Sequence, residues 1–136
     1  MRMLLLKPKV DECKITWKCV DLEGDDSTYY KDMIKFVECD MLAHRLVHTN
    51  SNVSFDLWLD DCGQVCYPPK APVLPLINNR TKKPYYTMVG TILVSHSNEE
   101  GCCVALTDED VKEFLEYVDF CWKNAVGAKM EIVAEP

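Results

Sequence analysis

Apolar and polar residues alternate in two stretches of the first sixty residues, Cys13–Leu22 and Val53–Leu59, and this alternation predicts half-buried β-strands. Strands are expected at Met1–Lys7, ending before Pro8, and at Cys13–Leu22. Two more are expected at Glu38–His48 and Val53–Leu59. Because only a short polar turn separates these last two, they are expected to pair as a hairpin.

The second half of the chain has a clearer pattern. The apolar run Met88–Val94 predicts a buried strand, Ser97–Gly101 a turn, and Cys102–Leu106 a short partner strand. A helix is then expected from Thr107, which would supply the N-cap hydroxyl, to Asn124, with acidic residues in its first turn. Its buried face is expected to consist of Val111, Phe114, Leu115, Val118, Cys121, Trp122 and Ala125.

A shorter helix is predicted over Ser27–Val37, where apolar residues follow helical spacing. Together these elements predict a single α+β domain over residues 1–126. Its antiparallel sheet is expected to have five or six strands, with the C-terminal amphipathic helix and the shorter N-terminal helix packed on it. Residues 127–136 are expected to form a C-terminal tail, which could add a short strand at Met130–Val133.

The charge and hydropathy of the chain exclude some classes of function. The formal net charge is −7, which disfavours general binding to nucleic acids or anionic membranes, since these require an excess of lysine and arginine. No apolar run approaches the roughly 18 residues of a membrane helix, and Leu4–Leu6 is too short for a signal peptide. We therefore expect a cytoplasmic protein, in which the eight cysteines are buried thiols rather than disulfides.

Residues 67–86 differ from the rest of the chain. They contain five of the seven prolines, which excludes a regular central strand or helix and predicts a long ordered loop, often a functional feature. They also contain four basic residues and no acidic one. Such a set could bind a phosphate with a stacked base or an acidic partner, and the alternative is a solvated turn that binds nothing. The candidate ligand-binding residues are Asn79, Arg80, Lys82, Tyr85 and Tyr86.

Two pairs of cysteines suggest a metal or redox site. Cys62 and Cys66 are spaced C-x-x-x-C, whereas the usual zinc knuckle is C-x-x-C. Cys102 and Cys103 are adjacent, and adjacent residues of a strand point to opposite faces. Zinc binding is therefore the weaker interpretation, and no metal site is assigned.

The histidines and a cluster of aspartates are expected to be solvated. His44 and His48 would lie on one face of a strand but about 13 Å apart, too far to share an ion. Asp56 belongs to a polar strand face that runs into a turn at Asp60 and Asp61. No nucleophile-elbow, zincin, P-loop or dinucleotide-binding motif occurs. We therefore assign no catalytic residue and no cofactor.

Several short motifs follow one another over residues 1–122 in a characteristic order. They are Asp60-Asp61-Cys62-Gly63, Leu74-Pro75, Asn79-Arg80, Gly90-Thr91-Ile92-Leu93-Val94 and Leu106-Thr107-Asp108-Glu109-Asp110. In this order they resemble a family of short phage, prophage and plasmid proteins known only as a domain of unknown function. The chain departs from the family pattern by two extra residues before Asn79 and by its longer, proline-rich 62–72 segment.

The resemblance implies an accessory protein of a mobile genetic element, with no assigned reaction. The leading hypothesis is a non-enzymatic protein that binds an anionic ligand such as a nucleotide immune signal. A homo-oligomer is expected by analogy with other small phage proteins. Arg80 and Lys82 would contact the phosphate, Asn79 would hydrogen-bond, and Tyr85 or Tyr86 would stack.

Two alternatives are retained. The first is an inhibitor that binds a host protein directly, through the tail and an acidic helix face composed of Glu109, Lys112, Glu113 and Glu116. The second is a metal or redox protein that uses Cys62 and Cys66.

Overall fold

The computed structural model describes residues 1–9, 14–23, 28–49, 53–62, 73–74, 76–77, 88–126 and 131–135. Within them the chain forms nine strands and two helices. The strands are β1 (Arg2–Lys9), β2 (Lys14–Asp21), β3 (Leu42–His48), β4 (Ser54–Asp60), β5 (Val73–Leu74), β6 (Met88–Val89), β7 (Ile92–Ser97), β8 (Cys103–Val104) and β9 (Glu131–Ala134). The helices are α1 (Tyr29–Val37) and α2 (Asp108–Val126).

Seven of these strands form one sheet. Its order is β3-β4-β7-β1-β2-β9, with β8 paired to the end of β7, while β5 and β6 form a separate antiparallel pair. The predicted α+β class and the β3–β4 hairpin are confirmed. The sheet is mixed rather than antiparallel, because β9, which forms where the short tail strand was expected, runs parallel to β2.

Alternate residues of the strands face two separate apolar layers. On one face, Phe114 and Val118 of α2 pack with Leu4, Phe55 and Val94. Each such side chain contributes roughly 1.5–3 kcal/mol when it is fully buried. This layer is therefore a major source of the fold's stability.

The shorter helix covers the opposite face. Met33 and Val37 of α1 pack there with Leu5 and Leu93. Since α1 has nine residues, it is only about 14 Å long. Its short length limits how much of this face it can cover.

Several strand boundaries differ from the predicted ones; β3, for example, starts at Leu42 rather than Glu38. Two of the differences have a cause in the backbone. β1 continues through Pro8, which pairs with Ile15 of β2, although a proline lacks an N–H for the ladder. The other neighbour, β7, pairs only with residues Leu4–Leu6, so the missing N–H can face an open side. The run Met88–Val94 is divided by Gly90, whose φ of 82° is left-handed and interrupts the strand.

The start of α2 is as predicted. The Thr107 hydroxyl accepts a hydrogen bond from the Asp110 N–H at 3.1 Å, and the Asp110 carboxylate accepts one from the Thr107 N–H at 2.9 Å. This reciprocal capping satisfies two backbone donors that the helix itself leaves free. Of the predicted buried face, Val111, Phe114, Val118 and Cys121 are buried, together with Tyr117, whereas Leu115 and Trp122 are only partly buried. The side chain of Ala125 lies outside the described residues. No helix in the described ranges is long and apolar enough to span a membrane.

Candidate functional site

The basic loop predicted to bind an anion lies mostly outside the described residues. This applies to all five candidate ligand-binding residues, which are Asn79, Arg80, Lys82, Tyr85 and Tyr86. Their assignment therefore stays a prediction. The structure describes the residues on either side of residues 78–87.

Ile77 is attached to α2 just before the basic segment begins. The Tyr117 hydroxyl donates a hydrogen bond to the Ile77 carbonyl, and the Ile77 N–H donates one to Cys121 Sγ at 3.4 Å. Burial raises the pKa of the Cys121 thiol, so the sulfur stays protonated and neutral at physiological pH. Beyond the segment, Met88–Val89 pairs with Val73–Leu74, so both ends of the loop are fixed.

The described cysteines are free thiols, but contrary to the expectation from sequence most of them are not buried. Cys121 is buried, whereas Cys62 and Cys102 are exposed. Cys66, the second member of the C-x-x-x-C pair, lies outside the described ranges. Among the residues that are described, no three histidine, cysteine or acidic side chains cluster as a metal site would require.

Asp56 is not part of a solvated polar face, which corrects the expectation from sequence. It is only 5% exposed. His44 Nε2 lies 2.6 Å from its Oδ1, and the Ser97 hydroxyl donates to its Oδ2. The carboxylate therefore joins side chains from three neighbouring strands, β3, β4 and β7.

The three side chains do not form a nucleophilic triad. In such a triad the histidine stands between the nucleophile and the carboxylate and removes the hydroxyl proton. Here the carboxylate stands in the middle, and both His44 and Ser97 contact it. Ser97 therefore donates to Asp56 and is not activated by His44.

The indole of Trp58 supports this polar cluster. Its ring centroid lies 4.6 Å from that of His44, and its Nε1–H donates to the Ser95 hydroxyl at 2.9 Å. Ser95 is completely buried, so this bond satisfies a polar atom that would otherwise be costly to bury. His44 is thus held between the tilted indole ring of Trp58 and a carboxylate, which gives it more order than a solvated histidine has.

His96 is also more ordered than predicted. It lies at the end of β7 rather than in a turn, and its ring packs 5.2 Å from that of Phe55. Its Nδ1 lies 3.8 Å from the Asp110 carboxylate, which belongs to the α2 cap. His96 therefore has a structural role in joining β7 to the start of α2.

A groove of about 530 Å³ runs between α2 and the edge of the sheet formed by β2 and β9. Its apolar lining includes Trp17, Leu115 and Ile132. Lys112 and Glu116 stand at its rim, one helical turn apart, and neither forms an ion pair among the described residues. The volume is typical of ligand or side-chain pockets.

Arg2 and Asp108 close one end of this groove. Arg2 Nη1 lies 2.6 Å from Asp108 Oδ1, and Nη2 donates to Cys19 Sγ at 3.3 Å. The hydrogen bond to Asp108, followed by that to Cys19, raises the pKa of the guanidinium above its ordinary value. Because Arg2 is already committed to Asp108, it is poorly placed to bind an anionic ligand.

The tail strand that forms the other wall is held at its end by Glu135. The Glu135 N–H donates to the Trp17 carbonyl at 2.7 Å, and its carboxylate accepts from Thr16 at 3.3 Å and lies 3.5 Å from Lys18 Nζ. Desolvation acts to raise the pKa of Glu135, but Lys18 and Lys7 outweigh it and hold the pKa below its usual range.

A second cavity of about 270 Å³ lies on the other flank of α2. Its lining includes Tyr117, Glu113 and Phe120, and it shares Glu116 with the groove. Phe120 is half exposed. The exposed surface of α2 therefore has an apolar patch on each flank and charged residues between them.

The sequence indicated the acidic helix face but not the groove. Trp17 and Ile132 are distant in sequence and meet Leu115 only through the pairing of β9 with β2. The sequence feature that marked Trp17 and Ile132 was the alternation of apolar and polar residues in their strands. This alternation predicted that they are buried, not that they line a binding surface. No protein-family model, curated protein or solved structure matches the chain.

Proposed function

We propose that this chain is a non-enzymatic accessory protein that acts by binding a protein partner along α2. The observation that carries the proposal is the groove between α2 and β9, with its apolar floor of Trp17, Leu115 and Ile132. An exposed cavity of this size suits an inserted apolar side chain. The second cavity beside Phe120 extends the surface along the helix, which suits a polypeptide better than a small molecule.

The charge of α2 indicates the chemistry of that partner. The helix contains six acidic and two basic residues, and one of the basic residues, Lys123, is already paired with Asp119 at 2.8 Å. A complementary partner would carry lysine or arginine around its apolar anchor. Its association should therefore be fast at low salt and slower at high salt.

Affinity capture with matched variants tests this proposal. Glu116→Lys reverses an exposed charge shared by both cavities, and Lys35→Glu reverses an exposed charge on α1. We expect one stoichiometric host protein to be retained by the wild type and Lys35→Glu, and lost with Glu116→Lys or high salt. The proposal fails if Glu116→Lys retains the protein as well as the control does.

The nucleotide hypothesis remains a second candidate, based on the composition of the basic segment. We infer that residues 78–87 would present Arg80 and Lys82 to a phosphate, Asn79 as a hydrogen-bonding group, and Tyr85 or Tyr86 as a stacking surface. What supports it in the fold is the attachment at each end of the segment. Ordering such a loop before binding reduces the entropic cost of association.

Thermal melting against cyclic and ADP-ribose-type nucleotides separates the two candidates. A ligand at a hundred times its dissociation constant should add about 2.7 kcal/mol to the free energy of unfolding. The gain should be lost in Arg80→Ala and retained in Glu116→Lys. A panel without any shift would remove this second candidate and leave the capture experiment unaffected.

A further inference from the structure

The outer edge of β3 carries backbone groups directed away from the sheet. The Asp61 N–H donates to the Met41 carbonyl at 2.9 Å, and the Thr49 N–H donates to the Val53 carbonyl at 3.1 Å. Between these bonds the two strands pair residue by residue. In an antiparallel ladder hydrogen-bonded pairs alternate, so the odd-numbered residues of β3 bond to β4. The outward-facing residues are Leu42, His44, Leu46 and His48.

The ends of this outward row are partly covered by the chain itself. The Leu42 N–H donates to the Tyr30 hydroxyl at 3.3 Å, and the Arg45 guanidinium donates to the His44 carbonyl at 2.8 Å. In the middle of the row, the N–H and carbonyl of Leu46 have no hydrogen-bond partner among the described residues. Free groups of this kind are a template for pairing with another strand.

Exposed apolar side chains accompany this edge. Among the residues that the structure describes, three of the four exposed large hydrophobic ones lie here: Met41 is 58% exposed, Leu46 48% and Tyr30 45%. Met41 immediately precedes the strand, Tyr30 reaches its first residue, and Leu46 lies in its middle. Apolar exposure concentrated beside an open sheet edge is typical of an interaction surface.

We propose that β3 pairs antiparallel with β3 of a second copy of this chain, about a two-fold axis at Leu46. Each Leu46 would then exchange two backbone hydrogen bonds with the Leu46 of the second copy. His44 would face His48 of the second copy, and Arg45 would be displaced from the His44 carbonyl. The two exposed Leu46 side chains would cover one another, as an isologous interface requires.

Charge and hydrogen bonding favour this register over the symmetric ones centred nearer the start of β3. An axis at Arg45 would place two guanidinium groups directly opposite each other, which is unfavourable. With an axis at His44, the Leu42 N–H would have to donate to the second copy. That N–H already donates to the Tyr30 hydroxyl. With the axis at Leu46, Arg45 faces Val47, and the strand has no carboxylate that would be left unpaired.

The self-complementarity at Leu46 gives a specific test by light scattering after size-exclusion chromatography. We expect the wild type to dimerise with increasing concentration. Leu46→Lys and Leu46→Glu should each be monomeric, because like charges would meet at the axis. An equimolar mixture of the two variants should dimerise again, because lysine would face glutamate. Phe120→Lys, an equally exposed residue on α2, should leave the dimer intact.

A second measurement addresses any effect of the substitutions on folding. In the wild type, hydrogen exchange at the Leu46 amide should slow as the protein concentration rises, and exchange at the Val47 amide should not change. The proposal is overturned by a wild type that stays monomeric, by a dimer that Leu46→Lys leaves intact, by a variant mixture that does not associate, or by Leu46 exchange independent of concentration.

Discussion

His44 Nε2 lies 2.6 Å from Asp56 Oδ1, so two residues expected to be solvated form a dyad across neighbouring strands. Because an ionised carboxylate only accepts hydrogen bonds, Nε2 must carry a proton. The other ring nitrogen of a neutral His44 is then the unprotonated one. The imidazole side chain is 43% exposed, so water can replace its hydrogen bond when the dyad breaks. The Asp56 side chain is only 7% exposed, so it is the carboxylate that would be left without a partner.

Asp56→Asn should therefore destabilise the fold by about 1–3 kcal/mol. The amide keeps one accepting oxygen but has an N–H donor in place of the other, so either His44 or Ser97 must accept where it now donates, and both hydrogen bonds to a charged group are lost. Urea denaturation measures the loss. Asp61→Asn, at an exposed turn position, is the matched control and should change the stability by less than about 0.5 kcal/mol; equal effects of the two substitutions would contradict a buried role for Asp56.

Tyr117→Phe should detach Ile77 from α2. The change removes the hydroxyl that donates to the Ile77 carbonyl while it keeps the ring in the core. We expect a loss of about 1 kcal/mol in the free energy of unfolding and faster hydrogen exchange at the Ile77 amide. Tyr29→Phe, on α1, is the control and should affect neither quantity. Unchanged exchange at Ile77 in Tyr117→Phe would show that Cys121 alone holds the segment.

Thr107→Ala should cost about 1 kcal/mol, because it removes the hydroxyl that accepts from the Asp110 N–H at the start of α2. Chemical denaturation gives the value. Glu109 is exposed in the same turn, where its charge interacts only with the helix dipole. Glu109→Ala should therefore lower the free energy of unfolding by only a few tenths of a kcal/mol. Loss of equal size in both variants would mean that charge, rather than capping, determines the stability of this helix end.

Acid should weaken the attachment of β9. The pKa of Glu135 is lowered in the folded protein, so its stabilising effect is present above the ordinary glutamate pKa and is lost as the pH falls through the lowered value. The pair with Lys18 is partly exposed and screened by water. We therefore expect protonation of Glu135 to lower the free energy of unfolding by less than about 1 kcal/mol.

Hydrogen exchange at Ile132 and Val133 measures this effect. The two amides should exchange faster, relative to the intrinsic rate, once Glu135 is protonated. Glu135→Gln should show the faster exchange already at neutral pH and little further change with acid. Glu131→Gln, at the exposed start of the same strand, should behave as the wild type does. A wild type whose protection is independent of pH would contradict this account.

The elements that depend on neighbouring residues were predicted well. The capping at Thr107, the buried stripe of α2 and the β3–β4 hairpin all follow from spacing within about twenty residues. Breaks in the pattern were predicted less well. Pro8 stays within β1 because of an open side on that strand, and Gly90 interrupts an otherwise apolar run. Each of these depends on backbone geometry that the residue types alone leave open.

The sequence by itself determined the α+β class, the two helices and most of the strands, because periodicity and capping act over short distances along the chain. Only the tertiary structure decided what those elements bring together. Strand order places His44, Asp56 and Ser97 side by side and leaves β3 at an open edge. The parallel docking of β9 on β2 creates the groove beside α2. Such contacts depend on which strands become neighbours, and no periodicity within one strand specifies its neighbour.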